Sequence, residues 1–273
     1  PPRSTLFPYT TLFRSLLILP VVQRLLHDRP DNIHLMFVYG ECLYRTERPE
    51  MAGPWFEKIL SINPQHERSY LYRIAVAESL QNAKETEIWY ERYFSVFPDN
   101  FKLRKEFAQF LSHAKKWKQA AKVLEDGFSS ISPSDSTIEF LAYCLRKARL
   151  YKDAALYYKN LLFDQPENED YLFSLVHCLD KIKAKKIALE LLEKGAKYLK
   201  NRPRPYIVLG KLYMENGNSE KASESFFKAH SLDPQNPEPL YALAKLYKTA
   251  GSSQLSMQYL EKARMLQNKV PRA

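Results

Sequence analysis

Residues 203–236 read PRPYIVLGKLYMENGNSEKASESFFKAHSLDPQN, and apolar residues recur at helical spacing in both halves of this stretch. The first half carries one apolar face, formed by Tyr206, Leu209, Gly210 and Tyr213. The second half carries another, formed by Ala222, Phe226 and Ala229. Between them Asn216-Gly217-Asn218 breaks the first helix, and Pro234 ends the second because proline cannot continue a helix. The stretch therefore predicts two antiparallel helices joined by a short turn.

The same spacing returns every 34 residues along almost the whole chain. A small residue of the second helix recurs at Ala52, Thr86, Ala120, Ala154, Ala188, Ala222 and Ser256. A large apolar residue follows four positions later, at Phe56, Tyr90, Leu124, Tyr158, Leu192, Phe226 and Leu260. A mostly small residue of the first helix comes twelve positions before, at Gly40, Ile74, Ala108, Ala142, Val176, Gly210 and Ala244. A fixed period of this length predicts stacked helix pairs, in which each pair buries its apolar face against its neighbours.

This pattern resembles the tetratricopeptide repeat family, and residues 203–236 match it nearly position by position. The resemblance implies an all-α, right-handed superhelical solenoid of antiparallel helix pairs. The units are predicted at 33–66, 67–100, 101–134, 135–168, 169–202, 203–236 and 237–270. Four residues depart from the pattern. Arg73 replaces a core leucine, Tyr93 and Leu161 replace small residues, and Pro54 predicts a second helix that is kinked or starts late.

The two ends of the chain do not fit complete units. Residues 1–15 can be read codon by codon as the translation of a common sequencing-adapter sequence, so we expect this segment to be non-native. Residues 16–32 fit the second half of a truncated eighth repeat, which predicts that the native protein continues upstream. Residues 271–273 form a short tail.

Neither composition nor motifs point to catalysis. The chain of 273 residues has a net charge of +10, no run of 18 apolar residues, and no nucleotide-binding, zinc-protease or serine-hydrolase motif. Cys42, Cys144 and Cys178 recur at one position of the first helix, form no metal-binding pair, and are interpreted as small buried residues. His177 and Cys178 are adjacent and so point about 100° apart on a helix, which argues against a nucleophilic pair. We expect no enzyme, cofactor or metal site, and the unpaired cysteines weakly favour a reducing compartment such as the cytoplasm.

The resemblance also implies where a ligand would bind, because the first helices line the concave face in this family. In the last two units these positions are Arg204, Ile207, Lys211, Met214, Glu238, Tyr241, Lys245 and Lys248. Four bases and one acid surround three apolar side chains, a composition suited to an acidic peptide segment or a terminal carboxylate. The alternative is a solvated helix face with its usual lysines.

The sequence thus predicts a protein-interaction scaffold that holds an extended peptide or a partner helix in its groove. The alternative is a docking or regulatory arm of a larger enzyme whose catalytic domain lies upstream. A second basic cluster, between Lys181 and Arg204, has only Tyr198 for base stacking and contains no recognised nucleic-acid module. We therefore interpret that cluster as a solvated face and expect no nucleic-acid partner. The sequence leaves the oligomeric state open.

Overall fold

The computed structural model describes residues 9–128 and 132–269, and within these ranges the chain forms fifteen helices and no strand. The helices are α1 (Tyr9–Asp28), α2 (Ile33–Arg45), α3 (Pro49–Ile62), α4 (Glu67–Ser79), α5 (Ala83–Val96), α6 (Phe101–His113), α7 (Trp117–Glu125), α8 (Asp135–Lys147), α9 (Tyr151–Asp164), α10 (Glu169–Lys181), α11 (Lys185–Tyr198), α12 (Pro203–Glu215), α13 (Ser219–Leu232), α14 (Glu238–Thr249) and α15 (Ser253–Lys269). The all-α prediction is confirmed. The division into seven units stays a prediction.

The chain forms two compact units. One contains α1 to α6, and the other contains α8 to α15, while α7 contributes to both. Within each unit a helix packs against the next helix along the chain, as α2 does on α3 and α12 on α13. The large apolar residues predicted for the second helices lie in the core: Phe56, Tyr90, Leu124, Tyr158, Leu192 and Phe226 are all buried, and only Leu260 is half-buried.

Asparagine side chains begin many of the helices. Asn32 accepts a hydrogen bond from the backbone N–H of Leu35 at 3.0 Å, and Asn218 accepts one from Lys221 at 3.1 Å. Asn82, Asn100 and Asn168 do the same at the starts of α5, α6 and α10. Each bond satisfies an N–H group that has no partner inside the helix. These helix starts are therefore stabilised by bonds between residues three positions apart.

The turn inside each pair has a left-handed residue, and this conformation returns at intervals of 34. The positions are Glu47, Gln81, Lys115, Arg149, Lys183, Gly217 and Gly251, with φ between 53° and 79°. Only the last two are glycine, which adopts this region without steric cost. The other five crowd their Cβ atoms against the backbone.

Replacing Lys183 by glycine should therefore stabilise the protein. Lys183 is exposed and has φ of 62°, so the change removes steric strain without removing packing. We expect the free energy of unfolding to rise by about 0.5–1 kcal/mol, measured by urea denaturation. The matched control is Gly217→Ala, which should lower stability by a similar amount. A gain from both changes would contradict the explanation.

The structure shows where Tyr93, Leu161 and Pro54, three of the four departures from the repeat pattern, lie. Tyr93 is fully buried and donates a hydrogen bond from its hydroxyl to Glu67 Oε1 at 2.5 Å, so its polar end is satisfied. Leu161 is also buried. The late start allowed for the helix around Pro54 is wrong, because α3 begins at Pro49 and contains Pro54 within it.

Arg73 takes the place of a core leucine and is buried with only 4% of its surface exposed. Its guanidinium lies 2.9 Å from Glu57 Oε1, bonds Glu85 Oε1, and stacks on the Trp89 ring at 4.7 Å from the centroid. Gly53 leaves room for it, since a Cβ there would lie 2.9 Å from Arg73 Nη1. A buried charge is tolerated here because carboxylates of α3 and α5 both reach it.

At the N-terminal end, α1 begins at Tyr9 and so includes part of the segment expected to be non-native. Residues 1–8 lie outside the described residues, as do Pro271, Arg272 and Ala273. No helix in the described ranges is both long enough and apolar enough to cross a membrane.

Candidate peptide-binding surface

Glu238 aside, seven predicted groove residues belong to the last two units, and they lie on α12 and α14, which contact each other directly. Four of the seven are exposed cations: Arg204, Lys211, Lys245 and Lys248. Met214 and Tyr241 are half-buried. We call these six residues the α12–α14 surface.

The seventh residue, Ile207, does not belong to this surface. Its side chain is only 5% exposed and forms part of the core. The prediction that Ile207 holds an apolar ligand side chain is therefore corrected: it supports helix packing. A helical wheel of α12 alone could not reveal this, because burial also depends on the neighbouring helices.

Lys211 is already paired within the protein. Its Nζ lies 2.7 Å from Glu238 Oε1, and the pair joins α12 to α14. About half of each side chain is exposed, 49% and 51% respectively. Such a surface pair contributes little to stability, on the order of 0–1 kcal/mol. It does cancel most of the charge that Lys211 would offer to a ligand.

Arg204 pairs with acidic residues of α10, the preceding first helix. Its Nη1 lies 3.6 Å from Asp170 Oδ1 and 4.0 Å from Glu169 Oε1. The guanidinium also lies over the Phe173 ring, 4.2 Å from the centroid. The sequence-based count of four bases against one acid left out these two acids, so the positive excess near Arg204 is smaller than predicted.

Lys245 and Lys248 differ from the other two cations. Within the described part of the chain neither forms an ion pair, and both side chains are exposed. They lie three residues apart on α14, and Tyr241 lies one turn before Lys245 on the same helix. The Tyr241 hydroxyl donates a hydrogen bond to Gln267 Oε1 at 2.5 Å, which fixes the position of the ring. Two ammonium groups without an acidic partner among the described residues therefore lie on the same helix as an aromatic ring that is fixed by a hydrogen bond.

An equivalent ion pair in the first compact unit was missed from the sequence. Arg68 Nη2 lies 3.9 Å from Glu41 Oε1, at the positions that Glu238 and Lys211 occupy later in the chain, with the charges exchanged. Arg45 pairs with the same carboxylate at 2.7 Å. The sequence contains a pattern that could have predicted this pair, because Glu41 and Arg68 are 27 positions apart, as are Lys211 and Glu238.

These neighbours stabilise the charged form of the Glu41 carboxylate. Burial of the carboxyl raises its pKa, but hydrogen bonds from Tyr72 and Arg45, together with the charge of Arg68, outweigh burial and leave the pKa below its ordinary value. The cations around Glu41 are therefore satisfied within the unit. Arg45 and Arg68 therefore offer less uncompensated positive charge to an acidic ligand than Lys245 does.

Cys178 and His177, which are adjacent in the sequence, lie in different environments. Cys178 is buried, and burial raises its pKa to about 11, so the thiol stays protonated at neutral pH. His177 is exposed, with its ring 6.0 Å from that of Tyr151. No group of three or more His, Cys, Asp or Glu residues suited to a metal ion occurs in 9–128 or 132–269.

Solved structures with a similar fold include the protein MamA. MamA 41-end from Desulfovibrio magneticus RS-1 is 21% identical, with a TM-score of 0.53 over 64% of this chain and 98% of that chain. A second MamA crystal structure is 18% identical, with a TM-score of 0.52 over 59% of this chain and 95% of that chain. Identities this low establish similarity of fold alone.

Sequence models provide the family assignment. A comparison with curated proteins gives no match. Models described as TPR repeat and tetratricopeptide repeat match residues 210–251, 19–67 and 237–269. The matches at 210–251 and 237–269 cover most of the α12–α14 surface. Residues 19–67 and 210–269 of this chain are therefore tetratricopeptide repeats.

Proposed function

We propose that this protein is an interaction scaffold whose α12–α14 surface binds an extended acidic segment of a partner protein. The observation that carries the proposal is the pair of exposed ammonium groups of Lys245 and Lys248, which have no counter-ion among the described residues. Charged groups of this kind steer association and set specificity.

The apolar part of the surface supplies a second contact. Met214 and Tyr241 are half-buried, so each keeps some surface free for a ligand side chain. Tyrosine offers a large contact area at low entropic cost, and methionine adapts to irregular shapes. A segment that alternates acidic and apolar residues would fit both features. Lys211 and Arg204 would contribute less, since their charges are shared with Glu238, Glu169 and Asp170.

The test begins with a peptide library displayed against the whole chain, followed by titration of the selected peptides. Reversing both free lysines, Lys245→Glu with Lys248→Glu, should weaken binding at least about tenfold at low salt by slowing association. The loss should shrink at high salt, because screening already weakens the wild-type attraction. Tyr241→Ala should mainly speed dissociation, with little salt dependence.

The matched control changes two exposed lysines of the second helix α11, Lys186→Glu with Lys194→Glu. Its change in net charge is the same, so any general electrostatic effect appears in both variants. Stability should be unchanged in both, since all four side chains are exposed. Selection of peptides without acidic residues, or equal weakening by the control, would exclude the proposed surface.

A further inference from the structure

The turns inside three successive helix pairs carry a high density of positive charge. The ranges 115–118, 146–152 and 181–186 contain three, four and four lysine or arginine residues and no acidic residue. They include the turns from α6 to α7, from α8 to α9 and from α10 to α11, and all three ranges belong to the second compact unit. We call these ranges together the basic edge. The positions 217–220 and 251–254, which correspond to 115–118 in later pairs, contain no base, so the fold does not require cations at this turn.

Most of this charge is uncompensated. Lys185 forms an ion pair of 3.3 Å with α12, and Arg146 is half-buried. Apart from these two and Lys116, the bases of the basic edge are exposed and form no ion pair with an acid among the described residues. The acids that adjoin the ranges, Asp153 and Asp180, are too few to balance them. Exposed cations that no acid neutralises attract polyanions.

One base of each turn occupies the left-handed position described above. These bases are Lys115, Arg149 and Lys183, with φ of 60°, 63° and 62°. The later pairs have Gly217 and Gly251 at the same position, and glycine adopts this conformation without steric cost. The three cations are also exposed, so they contribute little to packing. Neither the backbone nor the core explains these cations, which indicates a role for their charge.

Aromatic rings lie next to the basic turns at the same interval. Trp117 contacts Tyr143 of α8 with ring centroids 5.8 Å apart, and 34 residues later Tyr151 contacts His177 of α10 at 6.0 Å. Each contact joins one turn to the first helix of the next pair, so successive turns are neighbours. Trp117 and Tyr151 are half-buried, and part of each ring therefore remains free to stack on a ligand.

A cavity of about 270 Å³ lies between the first basic turn and the end of α8. Lys115, Trp117, Lys118 and Ala148 are among its lining residues. Because a water molecule occupies about 30 Å³ of liquid, this space is large enough for a phosphate group. The basic edge therefore combines cations, partly exposed rings and a concave space lined by lysines.

We propose that the basic edge binds single-stranded nucleic acid, independently of its base sequence. The exposed lysine and arginine side chains contact successive phosphates, and Trp117 and Tyr151 stack on bases. These rings favour nucleic acid over an anionic membrane or an acidic peptide, neither of which offers bases to stack.

This proposal replaces the expectation of no nucleic-acid partner, which rested on the cluster between Lys181 and Arg204 alone. That cluster offers only Tyr198 for stacking. Packing of the helices adds the two preceding basic turns, with the rings of Trp117 and Tyr151. The basic edge is separate from the α12–α14 surface and does not depend on it.

The probe is a fluorescein-labelled uridine oligonucleotide of about 20 nucleotides, titrated with the whole chain by fluorescence anisotropy. We expect saturable binding that weakens at least about tenfold between about 50 and 200 mM salt, because the bound phosphates release counterions. An oligonucleotide of the same length without bases should bind at least about fivefold more weakly, because stacking is lost.

Replacing the three left-handed bases by glycine separates the loss of charge from any loss of folding. Lys115→Gly with Arg149→Gly and Lys183→Gly relieves backbone strain, so the urea midpoint should stay the same or rise. The affinity should nevertheless fall at least about tenfold. The slope of log Kd against log salt should decrease by about two, since each phosphate contact to a single strand contributes about 0.7.

The matched control is Lys228→Gln with Lys245→Gln and Lys248→Gln, which changes three exposed lysines of the same compact unit. It removes the same charge and both free lysines of the α12–α14 surface, so the affinity should stay within about twofold of the wild type. Equal weakening by the control, or unchanged affinity of the glycine variant, would overturn the proposal. Equal affinity for the oligonucleotide without bases would overturn it in favour of a phosphate polymer. Binding of phosphatidylserine vesicles without binding of the oligonucleotide would overturn it in favour of an anionic membrane.

Discussion

Replacing Phe226 by alanine is expected to lower the free energy of unfolding by about 3–5 kcal/mol, the range for removing a large buried ring. Phe226 is fully buried on α13 and lies directly over Gly210 of α12. Gly210 has no side chain that could fill the cavity left by the ring. Urea denaturation followed by circular dichroism measures the change.

The reciprocal substitution tests the same contact. A Cβ at Gly210 would lie 2.8 Å from Phe226 Cζ, so Gly210→Leu should destabilise by overpacking, by about 1–3 kcal/mol. Combining Gly210→Leu with Phe226→Ala should recover part of the loss, because the new side chain enters the cavity. Simple addition of the two single effects in the double variant would show that the two positions are not complementary in size.

The second large effect is expected at Arg73. Arg73→Ala should lower the free energy of unfolding by about 2–4 kcal/mol, since it removes a buried long side chain and the group that binds two carboxylates. The guanidinium of Arg73 lies beside Gly53 and over the Trp89 ring. Denaturant unfolding of the chain, monitored by tryptophan fluorescence, gives the value.

Arg73→Met separates packing from charge. Methionine keeps most of the volume, while Glu57 and Glu85 are 50% and 31% exposed and can turn to water. We therefore expect Arg73→Met to recover most of the stability that alanine loses. Equal losses for methionine and alanine would mean that the ion pairs, and not the packing, hold this part of the core together.

Much of the fold could be predicted from the sequence because helix pairs are encoded locally. The 34-residue period, the asparagines before helices and the turn residues all act over a few positions. Even the contact between Gly210 and Phe226 has a sequence counterpart, since Gly40 and Phe56 form the same combination in the first unit. These features can be recognised in the sequence because each helix pair repeats the same short-range contacts.

The candidate site was only partly predictable. The sequence identified the first-helix positions, and six of the seven chosen residues keep exposed surface. It did not show that Ile207 is buried, that Lys211 is paired with Glu238, or that Arg204 turns to α10. Each of these depends on how far a side chain reaches between helices that are distant in sequence.

The sequence by itself determined the helix pairs, their period and the recurring core positions of the second helices, because these follow from propensity and spacing along one chain. Only the tertiary structure decided which charges are neutralised and which groove residues are buried. Lys245 and Lys248 are exposed without an acidic partner among the described residues, whereas Lys211 is paired with Glu238 and Ile207 is buried. Burial and pairing are properties of several helices together, and therefore they appear only once the helices are packed.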